Sequence, residues 1–402
     1  MEQRFQVLPL EGLVNFKTGK LNSNAAKPDG MFPFFTCSQE TFRTDTWSFD
    51  GEYVLLAGNN AAGIYPLKYF NGKFDAYQRT YAISTIDENV LVTRYVYYAL
   101  RLQLELMKSI STGVATKFLT LSLLNRTQIP VPPLPTQRRI AAILSAYDDL
   151  IENNLRRIKI LEEMAQNLYR EWFVKFRFPG HQHAHFTDSS LGRIPQGWEV
   201  EALGDLVGTQ YGYTESAQEK PIGPQYLRGM DINKTTYIDW DAVPYCPIPD
   251  ARFPKYQLAE GDIVIIRMAD PGKVGIVEKD VNAVFASYLV RLSRTSNRIG
   301  PYYLFHFLIA EKYQGYITGA STGTTRKSAS AGVLTGIDVL IPQESVLADF
   351  ETHVQTFRRL LNNLLECNTN LRLTRDLLLP RLISGEVDVS ELDIVIPEED
   401  SA

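Results

Sequence analysis

Gly51-Glu-Tyr-Val-Leu-Leu56 and Gly261-Asp-Ile-Val-Ile-Ile266 are one strand written twice. Each opens on a glycine and an acidic residue, then runs into the aliphatic and β-branched side chains of a buried strand. The echo extends in both directions. Ser111-Thr-Gly113 returns as Ser321-Thr-Gly323, and Gln128-Ile-Pro130 as Leu340-Ile-Pro342, at offsets of 210 and 212 residues against 210 for the glycines. Upstream, Leu10-Glu-Gly-Leu-Val14 is mirrored by Leu203-Gly-Asp-Leu-Val207, so the stretch leading to the strand is 17 residues longer in the second copy. A repeat this long is two domain-sized units rather than a solenoid of short modules. Similar frames with different inserts, chiefly Leu21–Asp50 against Tyr211–Glu260, imply two heads that present different surfaces.

Each copy closes on a heptad pattern. Ile140, Leu144, Tyr147, Ile151, Asn154, Ile158, Leu161, Ala165, Leu168 and Trp172 step by four and three. In the second copy Leu347, Phe350, Val354, Phe357, Leu361, Leu364, Asn368, Leu371, Arg375, Leu378 and Leu382 do the same. Such seams belong to coiled coils, and one asparagine in each is the device that fixes register. Before the first seam, Ile129-Pro-Val-Pro-Pro-Leu-Pro135 predicts a stiff extended linker, with Thr136 as helix N-cap. Pro380 predicts a kink or an end in the second helix, and Gly385 its stop. Two such stripes are buried most economically on each other, antiparallel, as a spacer between the heads. Burial in a larger bundle of partner helices is the alternative.

At 402 residues, 45% hydrophobic and 22% charged, the chain has a soluble globular composition. No apolar run reaches the roughly 18 residues of a membrane span, and the N-terminus lacks a signal-peptide order. Three widely spaced cysteines fit neither a disulfide framework nor a zinc site, and a reducing cytoplasm is expected. The net charge of −5 reflects seven acidic residues among the last 17. Residues 1–385 carry 41 basic against 39 acidic side chains, a balance of +2 that permits a local basic groove. The acidic end reads as a solvated tail.

No catalytic set emerges. Gly58-Asn-Asn-Ala-Ala-Gly63 has the glycine spacing of a P-loop, but Ile64-Tyr65 stands where Lys-Ser/Thr is required. His181, His183 and His185 would share a face on a strand, yet lie in a connector and read as linker rather than metal site. Asp148 and Asp149 read as a solvated helix face. Binding features are better represented. Val114-Ala-Thr-Lys117 and Thr324-Thr-Arg-Lys327 occupy equivalent places, and small hydroxylated residues beside cations suit phosphate contacts. Arg79 and Arg291, at matching strands, could read base edges or be ordinary strand residues. Arg228, Lys234, Arg267 and Lys273 add cations to the second head. The DNA-contact candidates are therefore Arg79, Lys117, Arg228, Arg267, Lys273, Arg291, Arg326 and Lys327.

The combination resembles the specificity subunits of type I restriction–modification systems. The resemblance is carried by Ile129-Pro-Val-Pro-Pro-Leu-Pro-Thr-Gln-Arg-Arg-Ile-Ala-Ala-Ile-Leu144, Leu168-Tyr-Arg-Glu-Trp-Phe-Val174, Gly192-Arg-Ile-Pro-Gln-Gly-Trp198 and Leu378-Leu-Pro-Arg-Leu-Ile-Ser-Gly-Glu386, and it spans the chain. It implies an α+β protein with a pseudo-twofold internal repeat, two similar target-recognition domains joined by two long antiparallel coiled-coil helices. The expected bounds are 1–135 and 179–343 for the heads, 136–178 and 344–385 for the helices, and 386–402 for the tail. It further implies a non-catalytic subunit that reads a bipartite sequence in double-stranded DNA. Two methyltransferase subunits would dock on the helices and carry S-adenosylmethionine, with restriction/translocase subunits joining through the complex. The helix residues expected to serve this are Ile140, Leu144, Ile151, Asn154, Ile158, Leu161, Phe357, Leu361, Leu364, Asn368 and Leu371. One departure is the second linker, reduced to Ile341-Pro342-Gln343. A non-catalytic scaffold for two protein or glycan ligands would share this architecture.

Overall fold

The computed structural model describes residues 5–60, 65–110, 117–323 and 327–394. The chain divides into two compact units, residues 1–154 with 365–402, and residues 155–364.

The first unit is built on an antiparallel sheet ordered Val14–Thr18, Thr80–Thr85, Glu52–Ala57, Leu67–Asn71. Its period-two alternation covers both faces. Val54, Leu56 and Ile83 pack with Tyr95, Val96, Ala99 and Leu100 of the helix Thr93–Ile110, while Leu55 and Ala82 meet Phe35, Phe49 and Phe74.

The second unit repeats that sheet as Val207–Tyr211, Leu289–Arg294, Ile263–Ile266, Val274–Ile276. Ile263, Ile265, Val290 and Leu292 face the helices Pro301–Ile309 and Glu311–Ala320; Val264, Ile266 and Leu289 face Phe285 and Trp240. Each unit adds a short parallel pair, Phe32–Phe35 with Asp75–Ala76 and Gln225–Leu227 with Ala283–Phe285.

The two copies even need glycine at the same place. A Cβ on Gly19 would lie 1.8 Å from the Ala76 carbonyl oxygen, and one on Gly212 2.2 Å from that of Ala286. Each glycine follows the first sheet strand where it passes against the parallel pair, and backbone this close excludes any side chain.

The proline-rich segment differs from its reading as a linker. Gln128–Val131 is a strand paired with Gln6–Pro9, and the first long helix starts at Leu134. The amides of Thr136 and Gln137 donate to the Pro133 carbonyl, so Thr136 lies inside the first turn and is not its N-cap. Prolines fit both places: a two-stranded ribbon has open edges, and first-turn amides have no partner within the helix. Buried Gln137 ties the joint together, donating to the carbonyls of Val90 and Pro132 and accepting from the Val92 amide.

The first helix runs Leu134–Tyr169 and ends in a π turn, Arg170–Val174, that places Trp172 and Phe173 in the core of the second unit. The second runs Glu344–Ser384. Pro380 neither ends nor breaks it. The proline lies on the exposed side, while Leu379, Leu382 and Ile383 anchor the last turn in the first unit's core. The helix closes at Gly385, whose φ of +79° is left-handed. The tail also departs from expectation: Glu386 pairs with Arg381, and Val389 is buried in that core.

Candidate nucleic-acid interface and helix seam

In both sheets the C-terminal ends of the first and second strands in chain order meet the start of the last strand at one end. In the second unit this end carries Tyr211, Arg267 and Tyr288. Main-chain bonds extend it: the Arg267 amide donates to the Tyr288 carbonyl, the Ala329 amide to that of Arg267, and the Ala269 amide to that of Lys327. The Arg267 guanidinium lies over the Tyr211 ring, 4.8 Å from its centroid, and the Tyr211 hydroxyl accepts from the Ala331 amide. Tyr211 and Tyr288 are 44% and 56% exposed. Lys273, whose carbonyl accepts from the Ile266 amide, and Lys327 are exposed beside them. Arg326 lies outside the described residues.

The same end of the first unit's sheet carries exposed Arg79, 5.7 Å from the Phe118 ring centroid. Phe118 belongs to the strand Lys117–Phe118, paired with Asn59–Asn60, so Lys117 sits at this end too. The Cys37 thiol donates to the Asn59 side chain 3.0 Å away, tying down the neighbouring loop. Cations with exposed aromatic rings are a chemistry suited to nucleic acid, offering phosphate neutralisation and flat stacking surfaces.

Two candidates are committed elsewhere. Arg228 grips Asp231 through Nε and Nη2 at 3.1 and 2.9 Å, capping a short 3-10 turn. Arg291 stands mid-strand and donates to the Gln257 carbonyl at 2.6 Å and the Gln210 side chain at 2.6 Å, with Asp262 at 3.4 Å. The Nη2 of each already bonds inside the protein, so neither presents an open fork. Sequence reading missed Tyr211, Tyr288 and Phe118, although Tyr288 stands 209 residues after Arg79, one residue short of the repeat's 210.

The histidine segment is a 3-10 turn, His181–His183, with the His181 ring bonded to the Phe178 carbonyl, so the common face of a strand does not exist. The P-loop-like segment, residues 58–63, lies largely outside the described residues.

Within the first unit the two helices run antiparallel. Ile140, Leu144 and Ile151 are buried, Leu371 is half-buried, and the Asn154 amide donates to the Asn368 side-chain oxygen at 2.9 Å. Asp148 is not a solvated face residue. It accepts from the Tyr98 hydroxyl at 2.7 Å and pairs with buried Arg375, which also holds Asp376 at 2.9 Å. Burial, with the Asp148 carboxylate beside it, raises the Tyr98 hydroxyl far above its ordinary pKa, so it stays a donor.

In the second unit, Ile158, Leu161, Phe357, Leu361 and Leu364 are buried or half-buried, and Phe173 and Phe350 meet edge to face at 4.9 Å. Arg358, 3% exposed, donates to Glu278 and to the Thr236 carbonyl. Nothing in the heptad pattern singles out Arg358, because its partner lies 80 residues away in a head loop.

Known proteins resemble this chain in sequence and fold. Residues 2–163 match the family described as type I restriction modification DNA specificity domain. The MjaIX specificity subunit of Methanocaldococcus jannaschii, a type I restriction enzyme subunit, is 29% identical over 76% of this chain and 72% of its own. The EcoDI specificity subunit of Escherichia coli is 24% identical over 91% of this chain and 86% of its own. The crystal structure of the type I restriction–modification S subunit from M. genitalium superposes with a TM-score of 0.59 at 17% identity, covering 94% of this chain and 96% of that one. The chain is thus similar to type I restriction–modification specificity subunits along most of its length. It shares the fold of that S subunit, with α+β units on a duplicated frame and two long helices.

Proposed function

We propose that this chain is the non-catalytic DNA-recognition subunit of a type I restriction–modification complex. Each head reads one half of a bipartite duplex target, and the helices set the gap and hold two methyltransferase subunits, through which restriction/translocase subunits join. S-adenosylmethionine is then bound by the methyltransferase and not by this chain, and the assembly works on DNA in the cytoplasm. One observation carries the reading: a duplicated sheet presents cations and open aromatic rings at the same end in both copies, with different residues in each. One frame with two faces is what two unlike half-sites require.

Phosphate contacts are expected from Lys117, Lys273 and Lys327, and base contacts from the rings and arginines between them. The test is the salt dependence of duplex binding. Replacing Lys273 and Lys327 with Ala should weaken binding uniformly across sequences and reduce the log–log salt slope by about 2. An unchanged slope removes this sheet end from the interface.

A further inference from the structure

We propose that Arg267 reads a guanine in the half-site contacted by the second head, and that Tyr211 is the residue that positions it; this rests on the DNA-reading function above. Among the described cations at this sheet end Arg267 alone is fixed from two sides. Its backbone is bonded to the neighbouring chain on both flanks, through Tyr288 and Ala329. Its guanidinium lies on a ring that is itself pinned, since Tyr211 closes a strand paired to Val290 and its hydroxyl holds the Ala331 amide. Burial reaches the Arg267 Nε, which has no partner, but not the terminal Nη pair. Among the described residues no carboxylate pairs with the fork, so its outer edge is left for a ligand.

That is the state a base-reading arginine needs before it meets DNA. A guanidinium fork matches the O6 and N7 acceptors of guanine with two parallel bonds, and no other base edge offers two acceptors side by side in the major groove. Prior immobilisation matters because an arginine side chain otherwise gives up rotamer entropy on binding. Exposed Lys273 and Lys327 contrast with it as mobile point charges suited to phosphate. Arg228, by contrast, already spends its fork on Asp231.

The experiment selects sequences bound by the full chain from a randomised duplex pool, comparing wild type with Arg267→Lys, Tyr211→Leu and Tyr211→Phe. Wild type should select a motif holding a guanine in one half. Arg267→Lys keeps the charge and loses the fork, so preference at that single guanine should fall about tenfold or more. Tyr211→Leu should relax the same position and Tyr211→Phe, which retains the ring, should restore it. The other positions of the same half should stay as selective as in wild type in every variant, which reports that the second head is folded. If Arg267→Lys weakens all sequences equally, or leaves every position as selective as before, Arg267 does not read a base and the inference is overturned while DNA reading stands. A wild-type chain that selects no motif overturns the DNA-reading function and this assignment with it.

Discussion

At the open end of the first sheet Arg79 lies exposed, 5.7 Å from the ring of Phe118, which is 38% exposed. At the same end of the second, Arg267 is sandwiched into the chain, 4.8 Å from Tyr211, with Tyr288 beside it where the first unit has Arg79. The helices differ in the same manner. Between the helix segments of the first unit the seam is polar, with the asparagine pair and the Asp148–Arg375 bridge. In the second it is aromatic, Tyr169, Trp172, Phe173 and Tyr303 packing around Phe350. Duplication kept what makes a sheet and a seam and let go of what fills them. A polar seam specifies register, whereas an aromatic one contributes buried area.

Substitutions can break or sharpen that contrast. Phe350→Ala empties the middle of the aromatic seam and should destabilise the second unit by about 3–5 kcal/mol; Ile140→Ala, one repeat earlier and also fully buried, should lose less, about 2–4 kcal/mol. Denaturant titration with a probe in each unit reads the difference, and equal losses would mean that the seams are not distinct in kind.

Next come the ion pairs. Arg358→Ala strands Glu278, 8% exposed, and should destabilise by about 3 kcal/mol. Asp148→Ala leaves Arg375 with Asp376 still in reach and should lose about 2 kcal/mol. A larger loss from Asp148→Ala than from Arg358→Ala in the same titration would reverse the ranking.

Asn154→Leu leaves the buried Asn368 side chain without its partner and should lose about 1–2 kcal/mol. The double change with Asn368→Leu should recover stability and loosen register, which cysteine cross-linking between the helices would detect. A double variant with one unchanged cross-linking register would deny the pair its role.

A last effect is in pH. Burial, reinforced by the Arg358 cation, pushes His306 down to about 3, and neither ring nitrogen has a partner. Above pH 6.5 the ring is neutral folded or unfolded. As pH falls from there towards 3 only the unfolded chain takes the proton, so stability is lost at up to about 1.4 kcal/mol per pH unit. His306→Leu should flatten that limb, and an acid limb as steep as wild type would place His306 in contact with water.

Much of this was legible in sequence because it is periodic. Strands of period two and seams of period 3.5 carry their signal locally, so the frame, Asn154, Asn368 and the Gly385 stop were all readable. What was lost depends on partners distant in the chain. Arg291 and Arg228 resembled free surface cations until Gln210, Asp262 and Asp231 were brought beside them. Asp148 looked solvated until Tyr98 and Arg375 closed on it. The prolines at 130 and 135 misled because their exclusion from strand and helix holds for interiors, not for a ribbon edge or a first turn. The acidic tail misled because net charge hid Val389, one apolar residue seated in a core.

The most direct test of two unlike readers on one frame is the sequence that the full chain selects from a randomised duplex pool. It should be a split motif, two short specified blocks that differ from each other, separated by a gap of fixed length and no sequence preference. A single continuous block, or no preference at all, would contradict it.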